Sequence, residues 1–304
     1  MRHVISIHGL SVEQIIDILD RAESMLAIAR GEAISDRLKG KVLGSIFFEP
    51  STRTRLSFET AMNRLGGGVI GFAGTEATSV VKGETLADTI RMVSGYTDAI
   101  VVRHPREGAA KLATEFSDVP IINAGDGAGQ HPTQTLLDLF TIRQEMGRLE
   151  GLNISLVGDL RYGRTVHSLA FALAKFGNTI NLVSPEGLEM PAEVVEHLED
   201  SGQFGTACHA PEEVIAKTDI LYVTRIQKER FPDPLEYENV GGKYRIDPEL
   251  VSRGPENMIV MHPLPRVDEI TPEVDAMPQA KYFIQASNGV PVRMALLSMV
   301  IGGD

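Results

Sequence analysis

The chain has one cysteine, Cys208, among 304 residues. A single thiol cannot close an intrachain disulfide, so the sequence reads as a protein of a reducing, cytoplasmic compartment. No apolar run approaches the roughly 18 residues that a membrane-spanning helix needs, and Met1-Arg2-His3-Val4 does not open a signal-peptide core. Basic residues are outnumbered, 29 Lys and Arg against 41 Asp and Glu, for a net charge of −12. That balance argues against a nucleic-acid partner, because a phosphate backbone needs a basic surface. It leaves small anions open, since a local arginine cluster acts through its own field. The histidines lack the cysteine or carboxylate spacing of a metal site, so no metal and no cofactor are expected.

What is present is an ordinary globular composition, 43% hydrophobic, long enough for two domains at about 150 residues each. The most informative stretch runs from Val42 to Gly68. A buried strand over 42–48 leads through Glu49-Pro50 into Ser51-Thr52-Arg53-Thr54-Arg55, and a helix follows until Gly66 to Gly68 stop it. Three hydroxyls and two guanidinium groups thus collect at a helix start, where unpaired backbone N–H groups and the positive dipole end already favour an anion. Any one of these residues alone reads as a cap or a solvated arginine; all five together read as a phosphate cradle.

Other segments repeat the logic. Ser11-Val12-Glu13-Gln14 is a capping box at the start of an apolar-faced helix. Lys82 beside Gly83 ends a long polar loop, and taken alone it is a surface lysine before a helix cap. Arg103 closes the strand 99–102, the end at which open α/β sheets hold ligands; His104 reads as shaping the turn. In His131-Pro132-Thr133-Gln134, proline at the first helical position puts His131 at the N-cap, where the positive helix end favours a neutral ring, and Gln134 at the third position.

After a helix over 135–146 and a fresh strand at 153–157, Gly158-Asp159-Leu160-Arg161-Tyr162-Gly163-Arg164-Thr165 imitates the spacing of a nucleotide phosphate loop. Arginine stands where that motif uses lysine, and the competing reading gives Arg164 a bidentate pair with a carboxylate. Strand and helix patterns then alternate through 169–176, 179–183, 192–198, 214–217 and 220–223, which implies a parallel sheet with helices on both faces. The strand 220–223 runs into Arg225 and Gln227, which share a face if the segment is extended. The strand 258–261 runs into His262-Pro263-Leu264-Pro265, whose prolines rigidify a turn and leave carbonyls for a ligand amine. An apolar helix over 292–301 ends the pattern.

Phe48-Glu49-Pro50-Ser51-Thr52-Arg53-Thr54-Arg55, with Val102-Arg103-His104-Pro105, His131-Pro132-Thr133-Gln134, Lys82-Gly83-Glu84-Thr85, the Gly158 to Thr165 loop, Thr224-Arg225-Ile226-Gln227 and His262-Pro263-Leu264-Pro265, resembles the aspartate and ornithine carbamoyltransferase family along nearly the whole chain. The resemblance implies two doubly wound α/β lobes, 1–134 for carbamoyl phosphate and 135–287 for the acceptor, with a C-terminal helix, 288–304, packing back on the first. It implies that Ser51, Thr52, Arg53, Thr54 and Lys82 hold phosphate, that Thr54, Arg103 and His131 polarise the carbonyl, and that Gln134, Leu264 and Pro265 position the carbamoyl group. Lys82, Arg164, Arg225 and Gln227 are implied to bind an acceptor with two carboxylates. Pro263, where ornithine transferases generally have cysteine, favours L-aspartate over ornithine. The family further implies a cytoplasmic homotrimer whose Lys82 loop enters the neighbour's site, with Thr78 or Ser79 as its hydroxyl, a possible separate regulatory chain, and the committed step of pyrimidine biosynthesis.

Overall fold

The computed structural model describes residues 2–127, 129–226 and 244–302. Two compact units are present: Met1–Phe140 with Ser287–Asp304, and Thr141–Ala286.

The first unit is built on four parallel strands, β1 (Val42–Phe47), β2 (Gly68–Ala73), β3 (Ala99–His104) and β4 (Ile121–Asp126), in the order β2-β1-β3-β4. Strands β1 and β3 are nearly continuous apolar runs because helices cover both faces of the sheet. Ile46, Ile100, Val102 and Ile121 pack there against Ile90 and Val93. The helices are α1 (Val12–Ser24), α2 (Leu26–Arg30), α3 (Thr52–Arg64), α4 (Leu86–Ser94), α5 (Ala109–Ala113) and α6 (Pro132–Met146), and the division between units falls within α6. The capping box of α1 is formed as the sequence implies: Gln14 N donates to Ser11 Oγ at 3.2 Å and Ser11 N donates to Gln14 Oε1 at 2.9 Å. A segment not anticipated as a strand, around Val4, extends the sheet edge, with Val4 N donating to the Ile121 carbonyl at 2.9 Å.

The second unit carries β5 (Asn153–Val157), β6 (Thr179–Val183), β7 (Phe204–Cys208), β8 (Ile220–Val223) and β9 (Ile259–Met261), parallel, in the order β7-β6-β5-β8-β9. Its helices are α7 (Arg164–Ala174), α8 (Ala192–Asp200), α9 (Pro248–Ser252) and α10 (Tyr282–Ser287). The core gathers Val157, Val183, Leu221, Val223, Ile246, Val260 and Tyr282. Two corrections to the sequence reading fall here. Strand β7 was not expected, because Gly205 and Thr206 interrupt its apolar pattern and its edge position leaves the middle of the strand exposed. The helix expected at 214–217 is instead a pair of 3-10 turns, Pro211–Glu213 and Ile215–Lys217. The last helix, α11 (Gly289–Ile301), belongs to the first unit and packs on α3 and α1; most of its residues are buried, which explains its lack of a polar face. No helix among the described residues is long and apolar enough to cross a membrane.

Both sheets change winding direction once, between β1 and β3 in the first unit and between β5 and β8 in the second. In such sheets the carboxyl ends at the switch point splay apart and leave a crevice. At the second switch the backbones come close: Gly158, with φ of +120°, would carry a Cβ 2.2 Å from the Thr224 carbonyl oxygen. Gly158→Ala is therefore expected to destabilise the protein by about 2 kcal/mol or more, read as a lower urea midpoint with an unchanged slope. A wild-type midpoint would contradict the close approach.

Candidate active site

In the first unit, β1 ends at Phe47 and delivers Glu49-Pro50 and the start of α3 to the β1/β3 switch point. Ser51 is the N-cap, in an extended conformation (φ −158°, ψ 110°), yet its hydroxyl makes no capping bond. The usual occupant of that position thus leaves the amides of the first turn to another acceptor. Arg53 is exposed at this helix start, and loss of hydration around it draws its guanidinium below the ordinary arginine range. Arg55, by contrast, turns back to Glu59, its Nε donating to Oε1 at 2.7 Å, and acts as scaffold.

Arg103 lies near the end of β3, opposite Phe47 of β1 across the switch point. Its Nη2 lies 2.7 Å from Glu49 Oε1 and its Nη1 donates to the Ala124 carbonyl at 3.2 Å. Thr54 is buried, and its Oγ1 lies 3.5 Å from Nε2 of His131, which immediately precedes α6, whose first residue is Pro132 as the sequence implies. Gln134 Nε2 donates to Asp138 Oδ1 at 2.9 Å. His104 Nδ1 accepts from Arg106 N at 3.0 Å and so shapes the turn. Ser51, Thr52, Arg53, Thr54, Arg103, His131 and Gln134 therefore come from three segments, at the carboxyl end of one sheet or at the starts of the following helices.

Lys82 is the exposed last residue of a 3-10 turn, Ser79–Lys82, closed by Gly83 in the left-handed region (φ +93°). Thr78 is committed locally, donating to the Thr75 carbonyl at 2.8 Å and accepting from Val80 N at 3.3 Å, whereas Ser79 is exposed.

In the second unit the same construction recurs. The Gly158 loop follows β5, and Arg164 opens α7. Buried Asp159 accepts from Arg161 N at 3.1 Å and Tyr162 N at 2.9 Å. A carboxylate thus holds the amides that a nucleotide phosphate loop would turn toward phosphate, which disfavours the nucleotide reading. Arg225 follows β8 across the switch point; Gln227 lies outside the described residues.

Leu264 and Pro265 follow β9, joined by a cis peptide, with Leu264 at φ +55°. Buried His262 and Glu269 hold this turn. Leu264 N donates to His262 Nδ1 at 2.8 Å, so the ring proton sits on Nε2 and is donated to Glu269 Oε1 at 2.7 Å. Glu269 Oε2 accepts from Val267 N at 3.0 Å and Asp268 N at 3.1 Å. Burial pushes the Glu269 carboxyl up, but His262 and the backbone donors outweigh it and hold it below its ordinary value.

Sequence reasoning passed over Glu49, Asp138, Asp159 and Glu269. The one available signal was an acidic residue inside or just after each motif otherwise rich in donors.

The chain is of the two-unit, doubly wound α/β class, with hydroxyls, arginines and a helix start gathered at one switch point and arginines beyond the strands of the other. The chain belongs to the aspartate/ornithine carbamoyltransferase family: the carbamoyl-P binding domain of that family matches residues 2–144 and its Asp/Orn binding domain matches residues 150–300. The chain is 60% identical over 301 residues to an aspartate carbamoyltransferase catalytic subunit of Archaeoglobus fulgidus, covering 99% of each chain. It is 56% identical to that of Methanopyrus kandleri, covering 99% of this chain and 98% of that one. Among solved structures it is similar to the catalytic subunit of M. jannaschii aspartate transcarbamoylase, with a TM-score of 0.95, 54% identity, and 100% and 99% of the two chains covered. The Trypanosoma cruzi aspartate transcarbamoylase in complex with carbamoyl phosphate and aspartate is 41% identical, with a TM-score of 0.92 and 99% and 95% covered.

The Glu269 network has a defined acid dependence. A carboxyl held below its ordinary value of 4.5 contributes stability that is present above that pH and lost as pH falls through the lowered value. Glu269→Gln is expected to be less stable than wild type by about 1–3 kcal/mol at pH 7, with the gap narrowing as pH falls below 4.5, as read by denaturant unfolding across that range. A gap that widens on acidification would contradict the assignment.

Proposed function

We propose that the chain transfers the carbamoyl group from carbamoyl phosphate to the amine of L-aspartate, giving N-carbamoyl-L-aspartate and phosphate. The observation that carries this reading is the recurrence of one device: arginines stand at or beyond the ends of the strands flanking the switch point of each sheet, Arg53 and Arg103 in the first unit, Arg164 and Arg225 in the second. The first unit offers hydroxyls and a helix start suited to phosphate, and the second offers guanidinium groups suited to carboxylates.

Carbamoyl phosphate is an activated acyl phosphate, so no enzyme nucleophile is required. Ser51, Thr52, Arg53 and Thr54 hold the phosphate, and Lys82 adds charge from its loop. Thr54, Arg103 and His131 donate to the carbonyl oxygen and stabilise the oxyanion that forms when the amine attacks. The carbon–oxygen bond to phosphate then breaks, and the departing phosphate takes the amine proton. Gln134 and the carbonyls of Leu264 and Pro265 orient the carbamoyl amino group and the incoming amine. Arg164, Arg225 and Gln227 bind the two acceptor carboxylates. Pro263 beside Leu264, and relatives that are aspartate enzymes, favour aspartate over ornithine.

The family further supports a cytoplasmic homotrimer in which the loop of Lys82 serves the neighbouring subunit's site, residues 1–134 with 288–304 forming the carbamoyl-phosphate domain and 135–287 the aspartate domain. The same likeness supports reading the reaction as the committed step of pyrimidine biosynthesis, with a separate regulatory chain as a possible partner. Because Thr78 is tied into its own turn, the exposed Ser79 is the better loop hydroxyl.

Phosphate release from carbamoyl phosphate by the purified chain is expected to be stimulated by aspartate and not by ornithine; stimulation by ornithine would overturn the acceptor assignment. Arg53→Ala is expected to lower kcat about 100- to 1,000-fold, by analogy with loss of one preorganised donor to developing charge. Arg225→Ala should instead act mainly by raising the KM for aspartate, and steady-state kinetics with each substrate varied in turn separates the two.

A further inference from the structure

Arg293 of α11 is 2% exposed, an uncommon place for a guanidinium group. Its Cζ lies 5.0 Å from the centre of the Phe58 ring of α3, and its Nη2 donates to Thr133 Oγ1 at 3.3 Å in the first turn of α6. Burial pulls its pKa down to about 9, and attraction to Asp138 offsets part of that. Gly289, one turn earlier, makes the room: a Cβ there would lie 2.2 Å from Arg293 Nη1.

Asp138 is itself fully buried and accepts from Gln134 Nε2 at 2.9 Å. An ionised carboxylate can only accept, so a carboxamide facing it must present its amino end and turn its oxygen away. A neutral partner, whether a protonated acid or an amide, can donate as well as accept and would tolerate either orientation. A buried carboxylate is favoured in its ionised form by a cation in the same interior, and Arg293, buried in the same unit and attracted to Asp138, supplies one.

We propose that Arg293 and Asp138 fix the orientation of the Gln134 carboxamide, so that its Oε1 is offered as an acceptor and the site distinguishes a carbamoyl group from an acetyl group. The inference rests on the reading above that Gln134 meets the carbamoyl end of the donor. The amino group of carbamoyl phosphate can donate to an oxygen placed there; the methyl group of acetyl phosphate, nearly the same size, cannot. Asp138 and Arg293 touch no substrate and are positioning residues, and Gly289 acts one step further back by leaving space for the guanidinium group.

The test measures kcat/KM for carbamoyl phosphate and for acetyl phosphate, with aspartate saturating, from release of their common product, phosphate. Asp138→Asn and Arg293→Met are expected to lower the ratio of the two values about tenfold or more, as loss of one well-placed hydrogen bond implies, mainly through carbamoyl phosphate. Arg293→Lys, which keeps the charge, should recover most of the ratio. Gly289→Ala, which alters no polar group, should lower it in the same direction and covers the case in which a charge-removing variant does not fold; thermal unfolding of each variant identifies that case. If the folded variants lose the same factor with both donors, or keep the wild-type ratio, the orienting role is overturned. A wild-type chain that releases phosphate from neither donor would overturn the functional reading instead.

Discussion

The structure depends on the electrostatic balance at the start of α3. Cations and open amides brought together for an anion repel one another when none is bound, and the fold answers this with carboxylates of its own. Glu49 lies 2.7 Å from Arg103 and so occupies one face of a guanidinium group assigned to the substrate. On the function proposed above, a carboxylate tethered by the chain is a weaker competitor than a multiply charged phosphate that would also meet Arg53, the first-turn amides and the hydroxyls at the start of α3. The exchange keeps the cradle assembled without closing it to its ligand. A chain of net charge −12 can hold an anion site for the same reason: opposing charges are matched residue by residue, within hydrogen-bonding distance.

The second unit applies the same principle to backbone. Asp159 and Glu269 each accept from two consecutive or nearly consecutive amides and thereby set the shape of a loop that follows a strand. In both cases the buried acid fixes the geometry of a loop that carries residues proposed for the site, Arg164 in one and Leu264 and Pro265 in the other. The buried His262 strengthens the arrangement because its two ring nitrogens have different duties, one accepting from Leu264 N and the other donating to Glu269. Substitution there disturbs a network rather than a single bond, so its effects should not be additive with those of its neighbours.

Most of the fold was legible because the central parallel strands are nearly continuous apolar runs and several of their helices begin at residues typical of helix starts. Ser11, Ser51 and the His131-Pro132 pair each mark a helix start that the structure bears out. Strand β7 escaped because an edge strand needs only one partner and tolerates Gly205 and Thr206, residues that read as a turn. The donors of the candidate site were legible for a related reason: hydroxyls, arginines and amides concentrated at strand ends are conspicuous. Their acidic counterparts were not, since Asp138 and Glu269 acquire meaning only from burial and from the donor each faces, which no local spacing encodes.

Arg293 shows how far this can reach along the chain. It stands 160 residues from Thr133, on a helix whose other residues are almost uniformly apolar, and nothing near it in sequence suggests chemistry. Removing a charged group from water is costly, and a well-packed methionine or leucine would serve the interior of α11 better if packing were its sole requirement. The guanidinium group instead meets an aromatic ring on the helix that begins the phosphate cradle and a hydroxyl on the helix that begins with His131. One side chain therefore links the body of α3 to the first turn of α6, the two helices whose starts carry the residues proposed for phosphate and carbonyl. Precision in placing them depends on groups that cannot rotate away from their partners, and a buried planar cation held between a ring and a hydroxyl has little freedom to do so.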